Sequence, residues 1–250
     1  MAGIWYAEDD MPKYFLPPGQ LYKNEIVLAD DLAHHLITVL RVKMGDPIIL
    51  CDGNCHDFRC TVTEIRKNRI IVTKNEKYSC LTEPPIRVTL YQSLIKLDKF
   101  EWVIQKCIEL GIYAIIPMVT NHTVPKMNES SQKLERFRKI AKSASEQSMR
   151  GIIPAIHAPL SLSDATKNPK ESLRLLACEN EHNNTIRSVL RDCSPCDVSI
   201  WIGPEGGFSK NEIESLCNHG AIRVSLGPRI LRTETAGMTA LVQILNTWEV

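Results

Sequence analysis

No stretch of this 250-residue chain approaches the roughly 20 consecutive apolar residues that a membrane-spanning helix needs. Residues 1–10 are acidic and lack the basic-then-apolar order of a secretory signal, so a cytoplasmic protein with no membrane partner is expected. An excess of one charge is missing as well. With 30 Lys and Arg against 29 Asp and Glu, the net charge is +1, so any surface for a polyanion must be local. Internal repeats and low-complexity segments are absent, which excludes solenoids and disordered linkers. Metal-ligand spacing is lacking too: Cys51, Cys55, His56 and Cys60 lie in an alternating stretch whose side chains point to opposite faces. The pair Cys193 and Cys196 has no matching pair downstream. The expectation is therefore no metal, and 9 cysteines that remain reduced thiols in a chain large enough to need no disulfides.

What is present divides into two rhythms. Residues 13–80 alternate apolar and polar positions in short runs at 13–16, 25–28, 47–52, 57–65 and 69–75, with one helical stretch at 31–40, which predicts a small antiparallel barrel. Thr82, Glu83, Pro84 and Pro85 read as a linker, since neither proline can donate to a ladder. From 85 to 250 the pattern changes to strand, helix, strand. Strands are predicted at 86–91, 114–119, 173–177, 198–202 and 222–225, and helices at 98–110, 133–149, 210–218 and 235–248. Short apolar strands alternating with helices imply an α/β domain with a parallel sheet covered on both faces.

Two loops carry the chemical signal. Ile202 to Ser209 follows a buried strand and packs Gly203, Pro204, Gly206 and Gly207 into a rigid turn whose backbone can come close to a ligand. It lacks the Gly-Lys-Ser/Thr ending of a phosphate loop and the Gly-x-Gly-x-x-Gly spacing of a dinucleotide fold, so the turn reads as a cofactor loop without a phosphate clamp. The second loop runs from Leu226 to Ala236 and crowds Arg229, Arg232, Thr233, Glu234 and Thr235 between apolar residues before a helix. The plain structural alternative is a threonine helix cap beside a solvated Arg–Glu pair.

These loops together resemble the signature of the RsmE family of ribosomal RNA methyltransferases, within the knotted SPOUT superfamily. The likeness extends to His34 through Arg41 with Gly45 and Asp46, to Lys96 through Glu101, to Lys106 through Gly111, and to Arg138 through Arg150. It departs at Leu97, where the family commonly has glycine, and at Asn121, His122 and Thr123, where an arginine-containing sequence is common. Residues 1–10 precede the usual start at Met11 and read as an extension.

The resemblance implies a PUA-like β-barrel over 13–80 and, over 85–250, a SPOUT α/β domain with a deep trefoil knot. It implies a homodimer that uses S-adenosylmethionine to methylate N3 of a uridine in 16S ribosomal RNA. Other classes kept in view are a SPOUT methyltransferase for another RNA, an enzyme using the same donor on a small molecule or peptide, and a catalytically silent RNA-binding protein. The donor is expected against Leu176, Ala177, Cys178 and Glu179, against Ile202, Gly203, Pro204, Glu205, Gly206 and Gly207, and against Leu226, Gly227, Ile230, Leu231, Arg232, Thr235 and Ala236. Arg232 suits the charge that develops on the uracil carbonyls, and Glu234 either orients Arg232 or accepts the N3 proton. Arg41, Lys43, Arg138, Lys142 and Arg150 are the candidate phosphate contacts. The final helix carries an apolar stripe of Leu241, Ile244, Leu245 and Trp248, part of which is expected to face a second subunit.

Overall fold

The computed structural model describes residues 11–123, 131–167 and 171–248, so the expected extension at 1–10 lies outside the described residues. The chain forms two compact units, Met1–Glu83 with Ser145–Ile153, and Pro84–Ala144 with Pro154–Val250.

The first unit contains β1 (Lys13–Phe15), β2 (Glu25–Ala29), α1 (Asp30–Thr38), β3 (Pro47–Cys51), β4 (His56–Arg66) and β5 (Arg69–Ser79). They form a five-stranded half-barrel sheet in the order β1-β3-β4-β5-β2. One feature corrects the expectation of an all-antiparallel arrangement: β1 runs parallel to β3. Alternation does the folding work. In β2, Ile26 and Leu28 point inward while Glu25, Val27 and Ala29 point out, and the inward set packs with Tyr14, Leu36, Ile48, Leu50, Phe58, Val62 and Val72. Register shifts at Arg59/Cys60 and Val62/Glu64 mark bulges, which increase the local twist of the long β4–β5 ribbon.

Charge is used structurally in this unit. Lys13 is buried, with its ammonium 2.7 Å from Asp57 Oδ2 and donating to the Met149 carbonyl at 3.2 Å. Phe15 N donates to Glu146 Oε1 at 3.1 Å, and Glu83 accepts from Gly151 N at 2.8 Å. These bonds stitch Ser145–Ile153 into the unit. Burial pushes the thiols of Cys51 and Cys60 up to about 12 and about 11, which leaves them protonated and inert.

The second unit contains β6 (Val88–Ser93), α2 (Leu97–Glu109), β7 (Ala114–Val119), α3 (Ser131–Gln147, whose end belongs to the first unit), β8 (Ala155–Ile156), β9 (Leu160–Ser161) and α4 (Leu162–Lys167). There follow β10 (Leu173–Ala177), α5 (Ile186–Arg191), β11 (Val198–Ile202), α6 (Lys210–Asn218), β12 (Ile222–Val224) and α7 (Thr233–Trp248). The seven strands are parallel in the order β12-β10-β11-β6-β7-β8, with β9 also beside β7.

Alternate strand residues enter two separate cores. Val88, Leu90, Leu175, Ile200 and Ile202 meet α2, α5 and α7, whereas Tyr91, Leu176 and Trp201 meet α4 and α6. On that second face the Tyr91 and Trp201 rings stack with centroids 3.9 Å apart. Helix α2 places Phe100, Val103, Ile104, Cys107 and Ile108 on one buried stripe. It stops at Gly111 (φ +99), where a Cβ would lie 2.7 Å from Pro84 Cγ. A capping box of Ser209 and Glu212 starts α6, and one of Thr185 and Ser188 starts α5.

The final helix departs from expectation. Leu241, Ile244 and Leu245 are buried inside this unit's own core, with Trp248 packed against it, because α7 lies across β6 and β11 and between α2 and α5. That stripe is accordingly not an exposed subunit interface.

Candidate active site

The chain passes from β6 outward to β7 and β8, then returns on the other side of β6 as β10 and β11. The direction of winding therefore reverses between β6 and β11, and crevices at such reversals, beyond the carboxyl ends of the strands, are where open α/β sheets bind ligands. Gln92 and Ile202 are register partners at that edge. Gln92 is fully buried and its Nε2 donates to Thr233 Oγ1 at 3.0 Å, while the Thr233 hydroxyl donates to the Gly203 carbonyl. This relay ties the first turn of α7 to the first glycine of the 203–207 loop. Thr233 thus joins two loops rather than serving only the helix end.

The glycines have distinct physical reasons. At Gly203 a Cβ would sit 3.1 Å from Phe208 N and 3.2 Å from Gly207 C, so the loop folds tightly on its own backbone. Gly207 adopts φ +66 and Gly227 φ +122, left-handed conformations in which side chains are strained, with open space where a Cβ would be. At Gly206 the missing Cβ makes room for His122, whose Cβ would be 3.2 Å away. His122 Nδ1 lies 3.1 Å from the Gly206 carbonyl and 3.0 Å from that of Gly207, so the Nδ1–H tautomer donates to both. Beside it, Asn121 Nδ2 donates to Ser209 Oγ at 3.0 Å and Asn121 N to Glu212 Oε1 at 2.8 Å. The turn after β7 therefore clasps the glycine loop, a role the spacing of residues 121–123 did not signal.

The other two loops meet each other. Cys178 N donates to Val224 O at 3.0 Å and Ser225 N to Asn184 O at 2.7 Å. Glu179, a predicted donor contact, is exposed, and the organising carboxylate is Glu181. Glu181 accepts from Asn183 N at 2.9 Å and Asn184 N at 3.1 Å, bonds that hold its carboxyl below the usual range. Burial pushes the Cys178 thiol up to about 11, so it presents a neutral, weakly polar surface. Leu176 and Ile202 are buried at the strand ends, Ala177, Leu226 and Leu231 are half-buried, and Ile230 is 83% exposed. Pro204 is buried, Glu205 is exposed, and Thr235 and Ala236 lie in the first turn of α7.

Arg232 is exposed, and its carbonyl accepts from Thr235 N and Ala236 N, each at 2.9 Å, so it leads directly into α7. Among the described residues its guanidinium makes no ion pair. The alternative of an Arg232–Glu234 pair is replaced by another partner: Glu234 Oε1 lies 3.4 Å from Lys99 Nζ, and Lys99 is 3.8 Å from Glu205 Oε1. Glu234 is buried, and its Oε2 has no hydrogen-bond partner among the described residues. Sequence reasoning missed Lys99, which lies more than a hundred residues earlier with no spacing to connect it. No group of His, Cys, Asp and Glu suited to a metal occurs among the described residues.

The basic candidates separate by burial. Arg41, at φ +55, and Lys43 are exposed beside Val39 and Met44, which are themselves exposed apolar residues. Arg138 is exposed and 2.8 Å from Glu135, and Lys142 is exposed. Arg150 is 2% exposed, and its guanidinium makes a double contact with the Glu83 carboxylate, at 2.5 and 3.2 Å. It is a structural ion pair rather than an accessible phosphate contact. A sequence does not distinguish these fates, because the carboxylate that buries Arg150, Glu83, lies 67 residues away.

The profile of the RNA methyltransferase domain matches residues 82–245, and that of the RNA methyltransferase PUA domain matches residues 28–75. Ribosomal RNA small subunit methyltransferase E of Bacillus subtilis is 33% identical over 94% of this chain and 96% of its own length. Its counterpart in Rickettsia conorii is 35% identical over 88% of this chain and 89% of its own. The crystal structure of ribosomal RNA small subunit methyltransferase E from Neisseria gonorrhoeae, bound to S-adenosyl methionine, superposes with a TM-score of 0.85 at 30% identity, over 95% of this chain and 98% of that one. Legionella pneumophila Lpg2936, solved with bound SAM, gives a TM-score of 0.84 at 31% identity, over 94% and 96%. With the catalytic-domain profile and full-length relatives in agreement, the chain belongs to the ribosomal RNA small subunit methyltransferase E family.

Proposed function

We propose that this protein transfers a methyl group from S-adenosylmethionine to N3 of a uridine in 16S ribosomal RNA. The residues suit that donor. Three loops converge at the carboxyl edge of the sheet, and open space beside Gly207 and Gly227 allows close approach to the backbone. The neutral Cys178 thiol, Leu226, Ile230 and Leu231 offer the weakly polar lining that a purine and ribose need, with backbone groups to read them.

When bound, the donor supplies an electrophilic methyl for in-line displacement. The protein must then align the acceptor and remove the N3 proton. The observation that carries this reading is the pair at the start of α7: Arg232 with a guanidinium free of ion pairs among the described residues, and Glu234 with a buried, unpartnered Oε2. An orphan buried acceptor costs about 1–3 kcal/mol unless something donates to it, and a uracil N3–H is such a donor. Glu234 takes that proton as N3 bonds to the methyl carbon, whose bond to the donor sulfur breaks with its electron pair left on the neutral thioether. Arg232 meets the negative charge that spreads onto the flanking carbonyl oxygens.

The trefoil knot is part of the same proposal. It is supported by the contacts that the segment before α7 makes with two earlier loops, where Ser225 N donates to the Asn184 carbonyl and the Thr233 hydroxyl to the Gly203 carbonyl. A homodimer acting in the cytoplasm completes it. Exposed Trp102 on α2 and Val242 on α7, helices that pack together, supply apolar surface for a second copy. Incubation with small ribosomal subunits and labelled donor, followed by nucleoside mass spectrometry, is expected to yield 3-methyluridine. Label in any other nucleoside, or none, overturns the assignment.

A further inference from the structure

We infer that Lys99 is a positioning residue for the methylation reaction, acting through Glu234; the inference rests on Glu234 being the proton acceptor proposed above. Three elements meet at its ammonium. Lys99 is the third residue of α2, Glu234 the second of α7, and Glu205 lies in the glycine loop after β11. Their carboxylates stand 3.4 and 3.8 Å from Lys99 Nζ. The geometry differs from that of an ordinary surface pair, in which both partners are solvated and the bond contributes little. Here the Glu234 side chain is only 12% exposed, one of its oxygens faces the Lys99 ammonium, and the other has no hydrogen-bond partner among the described residues.

That asymmetry has a consequence for geometry. A carboxylate is planar and rigid, so pinning Oε1 to an ammonium fixes the direction in which Oε2 presents its lone pairs. Without Lys99 the group can rotate about its terminal bond, and its buried charge loses its cation. The second contact adds a register: through Glu205, the same ammonium ties the acceptor oxygen to the loop assigned to hold the methyl donor. Lys99 thereby sets the acceptor and the donor loop against each other across elements that the chain connects only distantly. Alignment errors of about 1 Å in such an arrangement typically cost about a hundredfold in rate.

The test uses the full chain, small ribosomal subunits and single-turnover methylation, with calorimetric donor binding alongside. Lys99→Met is expected to lower turnover about a hundredfold while donor affinity holds. Lys99→Arg should restore most of the rate, because it returns the cation. Glu234→Gln should itself impair turnover. In that background Lys99→Met should add no more than about a twofold loss, since the group it orients is gone. A residue that merely supported the fold would cost the same in both backgrounds, and that result overturns the inference. So does wild-type turnover in Lys99→Met when Glu234→Gln is impaired, an outcome that leaves the proposed function standing. Full turnover in Glu234→Gln removes the acceptor and this inference with it.

Discussion

The two sheets of this molecule treat charged residues in opposite ways. In the half-barrel sheet, β3, β4 and β5 pair in sequence order through short turns. In the same unit Lys13, Asp57 and Arg150 are buried, and the half-buried Glu83 accepts from Arg150 and from main chain. In the parallel sheet, β6 pairs with β11, more than a hundred residues later. Parallel strands all end on the same edge, so that edge collects loops from distant parts of the chain, and Arg232, Glu234 and Lys99 gather there with bonding capacity to spare. Arg150 in the first setting is buried against Glu83, whereas Arg232 in the second is exposed and makes no ion pair among the described residues.

The largest effect that can break this contrast is expected from a single methyl group. Gly203→Ala places a Cβ 3.1 Å from Phe208 N and 3.2 Å from Gly207 C, so the backbone of the donor loop itself must shift to admit it. Donor binding should disappear in calorimetry. Gly19→Ala in the first unit meets nothing within 4 Å. It should leave both donor binding and stability unchanged within about 0.5 kcal/mol. Wild-type donor affinity in Gly203→Ala would show that the loop's tight fold is irrelevant to the ligand.

Exchanging the two arginines as targets sharpens the contrast. Arg232→Ala should lower single-turnover methylation by about 10²-fold to 10³-fold and leave donor affinity and stability nearly intact. Arg232→Lys should recover little, because an ammonium lacks the planar fork. Arg150→Ala removes the cation of this pair and leaves Glu83 with two backbone donors among the described residues, Gly151 N and Ile152 N. Urea denaturation should register a loss of about 3–5 kcal/mol, with the turnover of the molecules that remain folded unaltered. Unchanged stability in Arg150→Ala, or unchanged turnover in Arg232→Ala, would dissolve the distinction.

The contrast also explains which parts of the structure can be read directly. Ile26 and Leu28 announce an inward face because a strand alternates with a period of two, and Phe100, Val103, Ile104 and Cys107 announce a helix for the corresponding reason. Segments too short to complete a period, such as Ala155–Ile156, Leu160–Ser161 and Ile186–Arg191, leave no such trace. At the site, the glycines declare a close-packed loop by composition alone. Gln92, His122 and Lys99 do not declare their roles, because their partners Thr233, Gly206 and Glu234 lie 84 residues or more away. Strand order alone brings them together. The apolar stripe of α7 was visible in the sequence, but whether it faced its own core or a second copy depended on what lay opposite, here β6 and β11.

The smallest expected effect concerns how the first unit meets RNA, and it depends on the burial difference between Arg41 and Arg150. Arg41 is exposed next to Val39 and Met44, held at φ +55 in a loop where the Lys43 amide donates to Asp46 Oδ2 at 2.7 Å. A cation in such a fixed, open loop can neutralise a phosphate and release one condensed counterion. Each such contact steepens the salt dependence of binding by about one unit on a logarithmic plot. Arg41→Gln keeps a polar, hydrogen-bonding side chain and removes its charge. Affinity for small ribosomal subunits should fall only modestly, and the slope of log affinity against log salt should flatten by about one, irrespective of RNA sequence. A merely solvated charge would leave the slope untouched, because water and salt already neutralise it in the free protein. Arg138→Gln should act more weakly still, since Glu135 at 2.8 Å already offsets that charge and must be displaced before a phosphate gains it. The comparison is closed by Arg150→Lys, which keeps the buried cation and so should leave the slope as it was. A flattened slope in that variant would mean that Arg150 reaches RNA after all.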